Sequence, residues 1–345
     1  MAAYKIVNEI DRDTWSEFVR KHRNGNIFQS PEMFELFKNT DNYKPLLLAI
    51  RGKEGEIAGL LSAVIQEEPG LLRYFSSRCI LWGGPLIDPT AGESGEVLLE
   101  LLLRELARQV SRKAIYIQIR NMFDISLYAG IFQKNGFRFH NHLNYIVETR
   151  TREKTEKKIS KSKMRQVRKS LKSGARIVEP QNIGEVEAFY NILKDLYKTK
   201  IKRPLPGWSF FESFYGMNQN NNKNFGTYLL IEYKEKIIGG IMCPITPGRT
   251  IYELYVCGLD DKYKNKGLYP SVLATWAAMD YALKKGLKKF DFMGAGKPDQ
   301  DYGVREFKAK FGGNLVEYGR FERINNKPLY LLGKIGLKVL GAFKG

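Results

Sequence analysis

The chain has 345 residues, 43% of them apolar or aromatic, and sets 56 Lys and Arg against 37 Asp and Glu, a formal charge of +19. That length and apolar content fit one large domain or two ordinary ones with a packed core, and exclude a disordered polyelectrolyte. The three cysteines, Cys79, Cys243 and Cys257, are far apart and odd in number, against both a disulfide framework and a zinc site of paired ligands.

The first residues, MAAYKIVNEIDRDTW, lack the apolar core of a signal peptide, and no run approaches the ~18 apolar residues of a membrane span. A cytoplasmic protein is expected. The excess of positive charge predicts attraction to polyanions, such as RNA, nucleotide diphosphates or an anionic membrane surface, without choosing among them.

In chain order, Leu46 to Ile65 reads as two strands joined by a charged turn. An amphipathic helix in GEVLLELLLRELARQVSRK then precedes a strand at Ile115 to Ile119. A loop, a short helix in YAGIFQKNGFRF and one more strand, Arg138 to Glu148, complete the series. From Thr227 to Ile245 the hairpin pattern returns. The helix of LYPSVLATWAAMDYALKK, a strand at Lys289 to Met293, a glycine-rich loop, a short helix in GVREFKAKFGGNL and a strand at Asn314 to Arg320 follow. The order is hairpin, helix, strand, helix, strand, twice, at an offset of about 175 residues. Such an order predicts an α/β (α+β) fold of two tandem acetyltransferase-like (GNAT) domains with mixed sheets, at 1–150 and 151–325, followed by a tail at 326–345.

Between the repeats, Arg150 to Arg176 holds twelve Lys or Arg against Glu153 and Glu156, and its sparse apolar residues, Ile159, Met164, Val167 and Leu171, mark one narrow packing face. A basic helix that opens the second domain is expected, either contacting phosphates or simply solvated. The tail PLYLLGKIGLKVLGAFKG mixes lysines with Leu, Ile, Val and Phe, as a basic amphipathic helix does, and either packs on the protein or touches a membrane surface peripherally.

With the duplication, the basic segment from Arg165 to Gly174 and the Phe307-Lys308 helix in view, the chain resembles the Fem family of aminoacyltransferases and the related acyltransferases described as BioF2-like or CelD-like. The likeness runs from GNIFQSPEMFELFK through SSRCILWGGPLIDPT to YGVREFKAKFGG. It implies transfer of an amino acid from aminoacyl-tRNA to an amine of a peptidoglycan precursor on two GNAT-like domains. It also implies roles by position. Lys308 matches the lysine of the family's Phe-Lys motif, thought to act on the acyl donor, and Lys38 a substrate-binding lysine. Arg203 falls where an arginine contacts the precursor's nucleotide diphosphate, and Tyr252 and Tyr255 lie on the strand of the site tyrosines. The chain departs from the pattern after Ile119, where Arg120-Asn121 stands in place of an acidic residue. Tyrosines three apart on a strand also face opposite ways unless a bulge intervenes.

Acyl transfer to an amine needs a deprotonated amine, close approach and stabilisation of developing negative charge. Lys308 is the expected electrostatic group, with Phe307 anchoring its helix, and Asp291 and Asp301, flanking the loop, are the candidate proton acceptors. No serine or cysteine stands in an activated setting. His140 and His142 share one expected strand face without a carboxylate cluster, so no metal site is expected. Lys264, Lys266 and Gly267 occupy the stretch that in ordinary acetyltransferases holds the pyrophosphate of coenzyme A. No tightly bound cofactor is expected, and the donor is either aminoacyl-tRNA or acyl-CoA. The acceptor is a nucleotide- or lipid-linked envelope precursor. Acyl-CoA-dependent N-acyl transfer in envelope polysaccharide or lipid synthesis is the alternative, and a non-catalytic RNA- or membrane-binding adaptor is the second.

Overall fold

The computed structural model describes residues 4–52, 54–88, 90, 95–219, 225–300 and 303–342. It divides into two compact units, one of residues 1–141 with 318–345 and the other of residues 142–317. Along the chain, the first unit receives β1 (Lys5–Val7), β2 (Tyr43–Arg51), β3 (Ile57–Gln66), β4 (Arg78–Trp82), β5 (Leu86–Ile87), β6 (Tyr116–Arg120) and β7 (Arg138–His140). The second holds β8 (Leu143–Glu148), β9 (Arg176–Val178), β10 (Gly226–Tyr233), β11 (Lys236–Thr246), β12 (Thr250–Tyr252), β13 (Tyr255–Gly258), β14 (Lys289–Asp291) and β15 (Asn314–Glu317). The last strand, β16 (Arg320–Ile324), returns to the first unit.

Both sheets are mixed. The first runs β1-β2-β3-β4-β6-β16-β7 with β5 beside β3, and the second runs β15-β8-β14-β12-β11-β10-β9 with β13 beside β11. Each contains one parallel pair, β4 with β6 and β12 with β14, and in each a helix connects its members, as a parallel connection requires. The first of these helices, Gly95–Val110, buries Leu98, Leu99, Leu102, Leu103, Leu106 and Val110, a helical stripe facing the sheet. The second, Pro270–Lys284, is apolar nearly all round and is correspondingly buried, with Pro270 at its first turn where a missing N–H costs nothing.

The tandem α/β architecture is as expected, but its boundaries differ from 150 and 325. Arg138 to Glu148 is not one strand. It breaks at Asn141, so that β7 pairs with β16 in the first unit while β8 pairs with β14 and β15 in the second. Likewise the expected strand from Asn314 to Arg320 is two, parted by Gly319 at φ +65°. The first unit therefore completes its sheet with β16 from the far end of the chain, whereas the second is one continuous stretch opening with β8, and the break separates His140, in β7, from His142, in the second unit. The C-terminal tail forms the helix Lys327–Ala342. Among the described residues, no helix is long and apolar enough to cross a membrane.

Candidate active site

In the second unit the edge of β11 is shared by two short strands with a break between them. Ile245 pairs with Ile251 of β12, whereas Met242 pairs with Tyr255 of β13, so the register slips by one residue across Glu253 and Leu254. This is a bulge. Beyond it β14 stays with β12 and does not follow β13. The chain after Asp291 runs along β8 instead, through Phe292 N to Tyr145 O, Ala295 N to Leu143 O and Leu143 N to Gly296 O. The sheet thus opens between β13 and the Phe292–Gly296 segment.

The bulge turns Glu253, a charged residue inside an apolar strand, into the interior, where only 4% of it is exposed. Its amide donates to Asp291 O (2.9 Å), Thr275 Oγ1 donates to its Oε2 (3.2 Å), and its Oε1 meets Lys308 Nζ at 3.1 Å. Lys308, on the helix Gly303–Ala309, is itself 8% exposed. Its ammonium also donates to Phe292 O (2.6 Å) and Gly294 O (2.9 Å) and stands 5.2 Å from the Phe292 ring centroid. Three N–H groups meet three acceptors.

Asp291 is buried beside this pair. Its Oδ1 accepts from Asn144 Nδ2 and from Met293 N, both at 2.7 Å, and Asn144 Oδ1 in turn accepts from Gly294 N (2.7 Å). These bonds hold Met293 at φ +59°, a conformation rare for a residue with a side chain. Burial pushes the carboxyl groups of Glu253 and Asp291 up, against the opposing pull of Lys308 and of their hydrogen bonds. Arg305, one turn before Lys308, fixes the rest of the loop by donating to four carbonyls, those of Ala295 (3.0 Å), Lys297, Pro298 (3.3 Å) and Gln300 (3.0 Å).

The predicted residues are thus partly assembled. Lys308 and Asp291 lie in one hydrogen-bonded cluster, whereas Asp301 lies outside the described residues. Tyr252 ends β12, buried, with its hydroxyl 3.2 Å from Thr246 Oγ1. Tyr255 begins β13 in an aromatic group with Phe211 (5.2 Å) and Phe210 (6.1 Å). The bulge that parts them was the condition stated for their strand. Phe307 is half-buried; it packs against the core and on fully buried Phe311, just past the helix, at 5.3 Å between ring centroids, and lies 4.1 Å from the ammonium of Lys163. Lys163, on the basic helix Lys161–Lys172, is buried; desolvation, aided by Lys310, pulls its pKa down to about 8. Arg203 is exposed after Lys202, and Lys38 is exposed at the end of the first unit's helix Pro31–Lys38.

The loop expected to cradle a pyrophosphate is closed onto its own chain. Gly267 N donates to Lys264 O, Tyr269 N to Ser170 Oγ and Ser271 N to Asp260 Oδ2. Gly267, at φ +77°, packs so closely on the basic helix that a Cβ there would stand 2.6 Å from Lys169 Cε. The amides are used, and a half-buried carboxylate, that of Asp260, occupies the start of the helix Pro270–Lys284. Lys264 and Lys266 are exposed, and the ammonium of Lys266 lies over the Tyr263 ring at 5.4 Å. In the first unit, paired Trp82 and Arg120 end β4 and β6, and the buried atoms Trp82 Nε1 and Asn121 Oδ1 have no hydrogen-bond partner. Sequence reasoning missed Glu253, Asn144 and Arg305. The first had a signal, a lone carboxylate in the apolar run IYELYV.

The model of the FemAB family matches residues 218–335, which include Glu253, Asp291 and Lys308. In fold, a crystal structure of FemX superposes with a TM-score of 0.69 over 95% of this chain and 99% of that one, at 17% identity. The chain has the tandem GNAT fold, and its residues 218–335 are similar to the FemAB family. The C-terminal domain of a putative lysylphosphatidylglycerol synthetase from Agrobacterium fabrum gives 0.57 at 13% identity, covering 95% of each chain. A tandem GNAT protein from the clavulanic acid biosynthesis pathway also gives 0.57, at 10% identity, over 93% of this chain and 98% of that one. At such identities the likeness is one of fold. No curated protein sequence matches the chain.

Proposed function

We propose that this Fem-like chain is an aminoacyltransferase that moves an aminoacyl group from aminoacyl-tRNA to an amine of a peptidoglycan-type envelope precursor. The observation that carries this reading is the buried Lys308–Glu253 pair beside Asp291, set where the sheet opens between β13 and the glycine loop. In the reaction a C–N bond forms as the amine attacks the ester carbonyl, the ester C–O bond breaks, and the ribose hydroxyl leaves with a proton. Lys308 supplies positive charge to the oxygen that becomes negative, exchanging one of its three present acceptors for it. Asp291, its carboxyl raised by burial, takes the proton that the amine gives up. Glu253 holds Lys308 in place. The family resemblance supports the peptidoglycan-type acceptor.

The closed loop at Gly267 supports tRNA over acyl-CoA, because coenzyme A would require free amides where Ser170 and Asp260 now bond. Incubating the purified chain with amine-bearing precursors and either charged tRNA or acyl-CoA tests the donor; transfer from acyl-CoA and none from tRNA would overturn the proposal. Lys308→Ala is expected to lower turnover roughly a hundredfold or more, the cost of removing one well-aimed donor. An unchanged rate removes Lys308 from the mechanism.

A further inference from the structure

Two segments far apart in sequence meet on the first unit. One is the short helical stretch Gly70–Ser76 and the other the C-terminal helix Lys327–Ala342. They touch where a Cβ at Gly333 would stand 3.1 Å from Phe75 O. The C-terminal helix is held by its opposite side: Tyr330 packs edge-on to Tyr116 at 5.5 Å and its hydroxyl bonds Glu322. Pro328, Leu331, Leu332 and Ile335, spaced i, i+3, i+4 and i+7, are left in solvent, with Leu331 59% and Ile335 58% exposed. Leu72, Tyr74 and Phe75 on the neighbouring stretch are likewise exposed. Such a run of large apolar groups on one face is not incidental surface.

The charge around it selects the occupant. Neither segment contains an Asp or Glu, while Arg73, Lys327 and Lys334 all stand exposed among the apolar groups. A second copy docked symmetrically here would bring two such cationic sets together. Aliphatic side chains mixed with Phe and Tyr and carrying only cations within the two segments, with the adjoining Glu67 and Glu68 paired to Lys44 and Arg78, match instead the interface of an anionic bilayer, where aromatics sit at headgroup depth and lysines meet lipid phosphates.

We infer that this two-segment face docks the protein peripherally on anionic membranes, independently of which acyl donor it uses. The test is co-sedimentation of the full chain with vesicles of phosphatidylglycerol and phosphatidylcholine, or of phosphatidylcholine alone. Binding is expected to the first and not the second, and to weaken as salt rises. Leu331→Ser/Leu332→Ser/Ile335→Ser and, separately, Lys327→Glu/Lys334→Glu should each lower the partition coefficient by about tenfold or more. All five positions are exposed, and circular dichroism melting checks that both variants fold. Several results would overturn the inference: no binding by wild type, equal binding to neutral vesicles, or undiminished binding by either folded variant. So would a concentration-dependent dimer that the triple variant abolishes, or a double variant that loses RNA binding but keeps vesicle binding.

Discussion

Removing the Lys308 ammonium while keeping its apolar stem, as in Lys308→Met, leaves the Glu253 carboxylate in a site where its side chain is 2% exposed with no cation beside it. Breaking a buried pair from one side costs about 3–5 kcal/mol, and the carbonyls of Phe292 and Gly294 lose a charged donor as well. Glu253 can escape part of this cost by binding a proton, which gives the deficit a pH dependence of definite sign. Its folded-state pKa already lies above the ordinary 4.5 because of burial. Below 4.5 both states are protonated and the group costs nothing. As pH rises, the unfolded chain ionises first and stability falls until the folded pKa is passed. Without Lys308 that pKa moves further up, so the decline extends to higher pH. Urea denaturation of Lys308→Met, Glu253→Gln and the double variant should therefore show a Lys308→Met deficit that is smallest in acid and grows toward neutrality. At pH 8 the coupling between the two sites should be about 2 kcal/mol or more. A coupling below about 0.5 kcal/mol at pH 8, or a deficit that shrinks as pH rises, would refute the reasoning.

Three further outcomes are expected. Arg305→Ala removes the donor to four loop carbonyls and should cost about 1–2 kcal/mol in urea, with faster proteolytic cleavage near Lys297 and turnover lowered about tenfold; unaltered cleavage would show that the loop holds itself. Gly312→Ala would set a methyl 2.2 Å from Lys158 O at φ +81°, and should lower stability by about 3 kcal/mol or more by the same measurement. Lys163 has its pKa pulled down to about 8 from 10.5, so wild-type stability gains as pH rises through that window, where the unfolded chain still binds the proton. In Lys163→Met that rise should be absent when denaturation midpoints are compared at pH 8 and pH 10.5.

What the sequence disclosed and what it hid follow from the range of the interactions. The hairpins, the helices and their repetition are local patterns, visible because apolar residues recur at the strand or helix period in LLLAI, TYLLI and the leucine stripe from Leu98 to Leu106. The strand break at Asn141 is not local. Arg138–Glu148 reads as one extended run, and only pairing with β16 on one side and β14 on the other shows that it serves two sheets. Lys308 was visible through its Phe-Lys context, yet its partner Glu253 comes from a bulge whose register is fixed by β11. The closure at Gly267 depends on a helix almost a hundred residues earlier in the chain. No local signal could place Ser170 there.

The charge of the cluster bears on which nucleophile the site would accept. With Glu253, Asp291 and Lys308 all ionised, the group carries one negative charge in excess, and burial makes that excess costly, as the upward displacement of both carboxyl groups records. An entering amine arrives largely as the ammonium ion. Its positive charge would offset the excess, and the raised carboxyl group beside it is then poised to take the proton and leave the neutral amine that can attack. A hydroxyl nucleophile brings no such charge. It would leave the buried carboxylate uncompensated and would need a stronger base than a carboxyl group provides. On the proposed reading, the second carboxylate is therefore a preference for amine acceptors built into the site, while Lys308, already balanced by Glu253, remains available to the departing oxygen.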